Sequence, residues 1–283
     1  MEYKKEIASI RADLCNYIKS NKIKSLVVGV SGGIDSALIC ALVLPVCESL
    51  KIPLIGRSLP ADSNADNETE RAALVGEAFC DSFRIQGIEY AKDNLRELMT
   101  SGEVGFQGNN TLHEDRIRMG NIKARIRMIY LYDLAQKHHG LVLSTDNLTE
   151  YYLGFWTLHG DVGDYGPIQH LWKTEVYEIS EFLARALSGK KKEALRLCIK
   201  AIPTDGLGIS DSDVDQIMPG WNKKYKNCRE AYAAVDKILD LYTNEGECCR
   251  TQRTKKLKKT PVIQRYLVTK FKRKGPISKL NPA

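Results

Sequence analysis

Short apolar runs alternate with helix-forming segments along the first half of the chain. The apolar runs occupy residues 24–30, 53–59, 82–86 and 140–144. The segments between them that favour helices are 37–43, 67–79, 94–99 and 114–138. Short runs of this kind indicate strands buried on both faces, and strands that alternate with helices predict a parallel sheet covered by helices on both sides. Pro45 is expected to shorten or kink the first of these helices.

The two ends of the chain are predicted to be helical. Residues 1–20 mix both charge signs and lack the apolar core of a signal peptide, so they indicate an amphipathic helix. Its apolar face carries Ile7, Ile10, Leu14 and Ile18. Beyond residue 174 the pattern is again helical. We therefore expect a single domain over 1–283, with an α/β core at about 22–205 and a helical, basic segment at about 206–283.

Composition excludes several classes of protein. The chain is 43% hydrophobic and 27% charged, which is ordinary for a globular protein. No apolar run reaches the about 18 residues of a membrane-spanning helix. The eight cysteines are scattered and form no CxxC pair, so neither a zinc site nor a disulfide framework is indicated. A cytoplasmic location is expected.

Positive charge is concentrated near the C-terminus. The net charge is +7, but residues 250–283 hold 12 Lys and Arg and no acid, which leaves 30 basic against 35 acidic residues elsewhere. Such a segment suits either a nucleic acid or a multiply phosphorylated small molecule.

The strongest local motif is Ser31-Gly-Gly-Ile-Asp-Ser36, between the first strand and a helix. Its glycines allow a tight turn, and its backbone N–H groups, hydroxyls and the helix N-terminus favour phosphate binding. It lacks the Gly-Lys-Ser/Thr ending of a Walker loop and the spacing of a dinucleotide fingerprint. Asp35 would lie among phosphates of like charge, so it is a candidate Mg²⁺ ligand. The alternative is a glycine-rich turn whose Asp and Ser cap the helix.

The motif resembles the PP-loop of the ATP pyrophosphatases, which adenylylate their substrates. Further blocks are similar to those of ammonia-dependent NAD synthetases and follow in the expected order. These blocks are Gly120–Met128, Ser144–Glu150, Gly154–Thr157 with Gly160-Asp161, Pro167 with Lys173-Thr174, Pro203-Thr204, and Arg265-Tyr266 to Pro276.

This resemblance implies a Rossmann-like, doubly wound parallel sheet of the adenine nucleotide alpha hydrolase type with a helical C-terminal extension. It also implies ATP- and Mg²⁺-dependent amidation of deamido-NAD by ammonia, which yields NAD, AMP and pyrophosphate through an adenylylated intermediate. Members of the family are homodimers whose dinucleotide site lies near the interface.

Residue roles follow from the same resemblance. ATP contacts are implied for Ser31, Gly32, Gly33, Asp35, Ser36, Thr145, Lys173 and Thr204. Mg²⁺ would be bound by Asp35 and Glu150, and deamido-NAD by Arg125, Asp164 and Lys272. Asp161 and Lys173 are the implied catalytic residues, with Asp161 receiving ammonium. Arg125 and Arg127 lie two apart on a helix and point in different directions, so only one of them need act.

The chain departs from the family pattern at several positions. Leu158 replaces a lysine of some members, Phe271 replaces a common histidine, and the 160–167 loop is one residue shorter. The block after the second strand also differs, since it reads Ser58-Leu-Pro-Ala-Asp-Ser-Asn64, and Arg57 and Asn64 are the ATP contacts that the resemblance implies there. Only about 24 residues precede the first strand and about 80 follow Thr204, so no glutaminase domain is expected and free ammonia is the expected nitrogen source.

Two other classes of protein share some of these features. A PP-loop enzyme that modifies tRNA would suit the basic segment, and a non-catalytic nucleotide- or RNA-binding protein would keep the glycine-rich turns. Neither a catalytic CxxC nor an RNA-binding module is evident, so a nucleic acid is not the expected partner.

Overall fold

A computed structural model of the chain describes residues 2–100, 112–204, 212–245 and 251–274. Its strands are β1 (Ser25–Gly29), β2 (Leu54–Ser58), β3 (Ser82–Ile85) and β4 (Gly140–Leu143). The first helices are α1 (Tyr3–Asn21), α2 (Ile34–Leu50), α3 (Asp66–Phe79), α4 (Glu89–Thr100), α5 (Leu112–Lys137) and α6 (Leu148–Leu153). The later helices are α7 (Lys173–Ala186), α8 (Gly189–Lys200), α9 (Asp213–Ile217), α10 (Cys228–Glu245), α11 (Gln252–Leu257) and α12 (Pro261–Val268). Cys248, Cys249 and Pro276 lie outside the described residues.

The four strands form one parallel sheet in the order β3-β2-β1-β4. Because successive side chains of a strand point to opposite faces, β1 contributes to two cores. Leu26 and Val28 pack with α1, α2, α7 and α8, whereas Val27 packs with Ile126 and Leu131 of α5. Burial on both faces explains the apolar runs of β1, β2 and β4, whereas β3 at the edge of the sheet is less buried. The parallel sheet with helices on both sides confirms the predicted Rossmann-like α/β fold.

The prediction that Pro45 shortens its helix is wrong, because α2 continues to Leu50. A proline removes the N–H that would bond to the carbonyl four residues earlier, here that of Ala41. Arg11 of α1 supplies the missing donor: its Nη2 lies 3.2 Å from the Ala41 carbonyl oxygen, and its Nε lies 2.9 Å from that of Leu42. The helix therefore continues beyond Pro45, because the carbonyls of Ala41 and Leu42 have hydrogen-bond donors.

Other expectations differ from the structure only in extent. The predicted apolar face of α1 is buried at all four positions, which confirms the amphipathic helix. The brief helix predicted at 94–99 is longer, since α4 begins at Glu89. Ile88 and Leu95 pack against the α5 side of the sheet, and Lys92 binds Asp62 at 2.6 Å, which holds the earlier turns of α4 in place.

The described part of the C-terminal segment is helical and packs around a third apolar cluster. Tyr242 of α10 and Tyr266 of α12 meet there edge to face, with ring centroids 5.6 Å apart. Leu153 of α6 belongs to the same cluster, so these helices pack directly on the segment that follows β4. None of the helices in the described ranges has the length and apolar character needed to cross a membrane.

Candidate active site

A cavity of about 500 Å³ opens at the carboxyl ends of β1, β2 and β4. Open parallel sheets bind their ligands at this edge, because the loops that follow the strands converge there. The cavity is lined by most of the residues that the sequence predicts for the site: Ser31, Gly33, Asp35, Ser36, Thr145, Glu150, Asp161, Lys173, Thr204 and Lys272. Three predicted residues are not in its lining: Gly32, Arg125 and Asp164.

The loop after β1 is held by its own serines. The Gly33 N–H donates to Ser31 Oγ at 3.2 Å, and the Ser31 N–H donates to Ser36 Oγ at 3.3 Å. Gly32 has a φ of +80°, and a Cβ there would lie 2.3 Å from the Glu68 carbonyl oxygen of α3. Position 32 therefore requires glycine for both conformation and space. No side chain caps α2 at Gly33, so the alternative in which Asp35 serves as a cap is not what the structure shows.

A buried ion triad forms the centre of the site. The Lys173 ammonium lies 2.5 Å from Asp35 Oδ2 and 2.9 Å from Glu150 Oε1, and the lysine side chain is only 1% exposed. Burial disfavours the ammonium, but the two carboxylates outweigh this and hold the pKa of Lys173 well above its ordinary value. Burial raises the pKa of Glu150, against the lowering effect of Lys173. The triad carries two negative charges and one positive charge.

Asn147 connects the two acids of the triad. Its side-chain oxygen accepts from the Glu150 N–H at 3.0 Å, and Glu150 Oε2 accepts from the Asn147 N–H at 3.3 Å, which forms a capping box at the start of α6. The Asn147 amide also donates to Asp35 Oδ1 at 2.9 Å. Glu150 therefore uses one oxygen to cap its own helix and the other to bind Lys173.

The donor set fits Mg²⁺ bound together with phosphates. In the described ranges no three His, Cys, Asp or Glu side chains are arranged to hold a metal by themselves. Mg²⁺ commonly takes only one or two carboxylates and completes its coordination with water and substrate phosphates. Asp35 belongs to the glycine-rich loop, and Glu150 lies on the other side of the Lys173 ammonium, so these two residues would supply the carboxylates.

A second pair of acids lies deeper along the loops after β4. Asp161 Oδ1 accepts from the Thr157 N–H at 2.6 Å, and burial raises the pKa of Asp161. Asp146 accepts from Ser144 Oγ at 2.9 Å, and burial, reinforced by Asp161 and Glu150, raises the pKa of Asp146 well above its ordinary value. The carboxyl groups of Asp161 and Asp146 would therefore interact favourably with a cation or with a group that donates a proton.

Cationic side chains of the C-terminal segment also line the cavity. Lys272 Nζ donates to the carbonyls of Gly154 at 2.8 Å and Trp156 at 2.6 Å. The Arg265 guanidinium stacks 3.8 Å above the ring of Phe155. Burial lowers the pKa of both Lys272 and Arg265. These contacts attach the C-terminal segment to the loop that carries Asp161.

A chain of hydrogen bonds crosses the mouth of the cavity. Thr204 Oγ1 donates to Glu68 at 2.5 Å, and Asn64 donates to the other oxygen of Glu68 at 2.9 Å. Arg127 donates to Asn64 Oδ1 at 2.9 Å and to the Leu59 carbonyl at 2.9 Å. The chain joins α5, the loop after β2, α3 and the segment after α8.

Two residues predicted to bind the dinucleotide have other surroundings. Arg125 is exposed and donates to the Leu158 carbonyl at 3.0 Å. Asp164 accepts from the Val142 N–H at 3.0 Å and from the Tyr132 hydroxyl at 3.1 Å, which closes the edge of β4. Their substrate contacts remain predictions.

Asp146 lines the cavity but was not predicted from the sequence, although it stands inside the Ser144–Glu150 block. Arg127, the alternative to Arg125 on α5, also lines the cavity. Arg57 and Asn64, for which the resemblance implies ATP contacts, lie in the same lining. Arg57 is buried there, and its Nε has no partner among the described residues. The contacts of these residues with ATP remain predictions.

Comparison with known proteins identifies relatives over almost the whole chain. The sequence profile of the NAD synthase family matches residues 6–276. The chain is 33% identical over 207 residues to the NH(3)-dependent NAD(+) synthetase of Pyrococcus furiosus, covering 72% of this chain and 75% of that protein. It is 31% identical over 250 residues to the enzyme of the same name from Thermoplasma volcanium, covering 87% of each.

Solved structures share the fold. An NMN synthetase from Francisella tularensis superposes with a TM-score of 0.76 at 22% identity, covering 99% of this chain and 100% of that one. An NH3-dependent NAD synthetase from Campylobacter jejuni, in complex with nitrate, superposes with a TM-score of 0.67 at 24% identity, covering 98% and 99%.

Replacing Lys173 should leave Asp35 and Glu150 to repel each other, because its ammonium reduces the repulsion between their carboxylates. Lys173→Met leaves two partly buried carboxylates without a cation, and the free energy of unfolding should fall by about 3–5 kcal/mol. Because Mg²⁺ can then occupy the vacated position, the ion should raise the melting temperature of this variant more than that of the wild type. Lys92→Met is the matched control, since Lys92 also binds an acid at 2.6 Å, in a pair with Asp62. Equal responses of the two variants to Mg²⁺ would contradict the assignment.

Proposed function

The chain belongs to the NAD synthase family, and we propose that it uses ATP and Mg²⁺ to convert the nicotinate carboxylate of deamido-NAD into the amide of NAD, with free ammonia as the nitrogen source. The observation that carries this proposal is the buried Lys173, held between Asp35 and Glu150 beside the glycine-rich loop. Free ammonia is supported by the names of the relatives, which are NH(3)-dependent enzymes.

The glycine-rich loop would bind the ATP phosphates. Ser31 and Ser36 place their hydroxyls beside the N-terminus of α2, and Gly33 lines the cavity there. A helix N-terminus with free N–H groups stabilises anions. Thr145 and Thr204 line the cavity on either side and would contact the rest of the nucleotide.

Asp35 and Glu150 would hold Mg²⁺, which neutralises phosphate charge and stabilises the departing pyrophosphate when it is bound. Once these carboxylates have a divalent partner, the Lys173 ammonium is free to bind the phosphate oxygens. The negative charges of the phosphates would then replace those of Asp35 and Glu150 in favouring the protonated form of Lys173. When the nucleotide binds, Lys173 therefore exchanges the carboxylates of Asp35 and Glu150 for the phosphate oxygens of ATP.

Activation is needed because a carboxylate is a poor electrophile. An oxygen of the nicotinate carboxylate attacks the α-phosphorus of ATP, and the bond from that phosphorus to the bridging oxygen breaks, which releases pyrophosphate. Ammonia then attacks the carbonyl carbon of the acyl-adenylate and loses a proton as AMP departs with the electron pair of the acyl–oxygen bond. Lys173 stabilises the charge that develops on the pyrophosphate in the first step.

Asp161 would accept the proton that ammonium must lose. Ammonium is not nucleophilic, so it must lose a proton before attack, and a carboxylate whose pKa is raised by burial is a better acceptor than an ordinary one. Asp161 lines the cavity, and its charge interacts with that of Lys272. Asp146 lines the cavity near Asp161, and burial together with the charge of Asp161 raises the pKa of Asp146 and disfavours its ionisation.

We also propose a homodimer formed through α5. Arg125, Ile129 and Tyr132 lie one helical turn apart on its exposed side, and Ile129 is 68% exposed. Arg125 lies outside the cavity lining although the family motif places it on the dinucleotide, which is explained if a second copy of the chain completes that part of the site.

A cytoplasmic location is supported by the free thiols of Cys40, Cys47, Cys198 and Cys228.

The activity can be tested directly with the purified chain. With ATP, Mg²⁺, deamido-NAD and ammonium chloride, NAD, AMP and pyrophosphate should form in equal amounts, whereas glutamine should give no product. The apparent KM for total ammonium should fall as the pH rises toward the pKa of ammonium, because the unprotonated form reacts. Nicotinate mononucleotide and tRNA are run in place of deamido-NAD. A strong preference for either of them would overturn the proposed substrate.

Asp161→Asn should separate the two half-reactions. An amide cannot accept the proton from ammonium, so NAD formation should fall by about two orders of magnitude. Pyrophosphate release should fall much less, since the transfer of the adenylyl group needs no proton acceptor for ammonium. Both products are measured in the same quenched samples, with the exposed Asp13→Asn as a control. An equal loss in both half-reactions would give Asp161 a role in substrate binding instead.

The dimer can be tested by placing a charge on α5. Ile129→Asp should shift the sedimenting species from dimer to monomer, because a carboxylate in the centre of an apolar interface is strongly unfavourable. Leu74→Asp on α3 is the control, since Leu74 is also exposed. A dimer that persists in Ile129→Asp, or a wild-type monomer at all concentrations, would exclude α5 as the interface.

A further inference from the structure

A buried carboxylate outside the cavity lies directly behind the ion triad. Asp236, in the middle of α10, is 6% exposed. It accepts three hydrogen bonds: from Thr149 Oγ1 at 2.6 Å, from the Thr174 N–H at 3.0 Å and from Thr174 Oγ1 at 2.8 Å. Burial raises the pKa of Asp236 to about 6, against the lowering effect of these hydrogen bonds.

The donors that Asp236 binds are the chain neighbours of the triad. Thr149 precedes Glu150 on α6, and Thr174 follows Lys173 on α7. Thr149 Oγ1 also accepts from the Lys173 N–H at 2.9 Å. The carboxylate, the two threonines and the Lys173 backbone therefore form one closed network that joins the first turns of α6 and α7.

This network also performs the capping of α7. A helix leaves its first N–H groups without intrahelical partners, and a side-chain oxygen at the residue before the helix usually binds one of them. Trp172 holds that position and has no such oxygen. The N–H groups of Lys173 and Thr174 are instead satisfied by Thr149 and by Asp236.

We propose that Asp236 is a positioning residue for the reaction, which fixes Glu150 relative to Lys173 through Thr149 and Thr174. The proposal rests on the proposed function of these two residues in binding Mg²⁺ and ATP. Asp236 does not line the cavity, and its hydrogen bonds are to the two threonines and not to the side chains of the triad. Its charge also interacts with that of Lys173, so it acts on the triad through the threonines and through this charge. Its loss should therefore change the binding of the metal–nucleotide complex and leave the deamido-NAD side of the cavity unaffected.

The test compares Asp236→Asn with the wild-type enzyme in steady-state kinetics. An amide has one acceptor oxygen in place of two, so at least one of the three donors loses its partner. The KM for MgATP and the Mg²⁺ concentration for half-maximal rate should each rise by about tenfold to a hundredfold, as for other residues that orient metal ligands. The KM for deamido-NAD should stay within about twofold, and Asp236→Glu should recover part of the loss.

Two further measurements separate positioning from folding. Asp81→Asn is the matched structural control, since Asp81 Oδ2 accepts from the Leu54 N–H at 2.8 Å at the start of β2. It should lower the melting temperature without changing either KM. In a double-mutant cycle, Thr149→Val and Asp236→Asn should be strongly non-additive in the KM for MgATP, because they interrupt one network.

Several outcomes would overturn the proposal. These are a lowered melting temperature of Asp236→Asn with both KM values unchanged, equal rises in both KM values, or additive effects in the cycle. Equilibrium binding of a non-hydrolysable ATP analogue with Mn²⁺ is measured in parallel. If the wild type binds this analogue but does not amidate deamido-NAD, the proposed function fails. The effect of Asp236 on metal–nucleotide binding is still decided by that measurement.

Discussion

The site depends on one buried ammonium that is shared by two carboxylates. Removing three charged groups from water is costly, and the attraction between Lys173 and its partners offsets this cost only because the distances of 2.5 and 2.9 Å are short. The arrangement retains one excess negative charge, so it is not the electrostatic optimum for a free protein. It is well suited to a protein that must accept a divalent cation together with a polyanion, since both can then exchange partners within the same cavity.

Each member of the triad lies at the beginning of a helix. Asp35 and Glu150 occupy the first turns of α2 and α6, where the helix dipole favours a carboxylate. Lys173 begins α7, where the dipole disfavours an ammonium, so it needs the two acids. The positive N-terminal ends of the three helices thus point toward the cavity, and the negative charges of Asp35 and Glu150 compensate for them. Phosphates of a nucleotide can take over this balance when they bind.

Elements that depend on the pattern of neighbouring residues could be predicted from the sequence. Features that depend on a residue distant in the chain could not. The four strands and the buried face of α1 follow from apolar patterns that neighbouring residues carry. Pro45 was misjudged because Arg11, on another helix, supplies the missing hydrogen-bond donors. Motif order brought Asp35, Glu150, Asp161 and Lys173 to one cavity, but it could not show that Arg127 faces the cavity and Arg125 faces outward. Asp236 has no motif, and its role appears only when α10 packs behind α6 and α7.

The C-terminal helices contribute to the site because α6 cannot be stable without them. A helix of six residues forms too few internal hydrogen bonds to persist alone. Asp236 holds its first turn through Thr149, while Arg265 and Lys272 donate to the carbonyls of Leu153 and Gly154 at its last turn. Gly154 ends the helix with a φ of +66°, and a Cβ there would lie 2.5 Å from the side chain of Thr269. Both ends of the helix that carries Glu150 are thus fixed by residues beyond 230. Part of the C-terminal positive charge is therefore used to complete the active site, which explains why these basic residues follow an otherwise acidic chain.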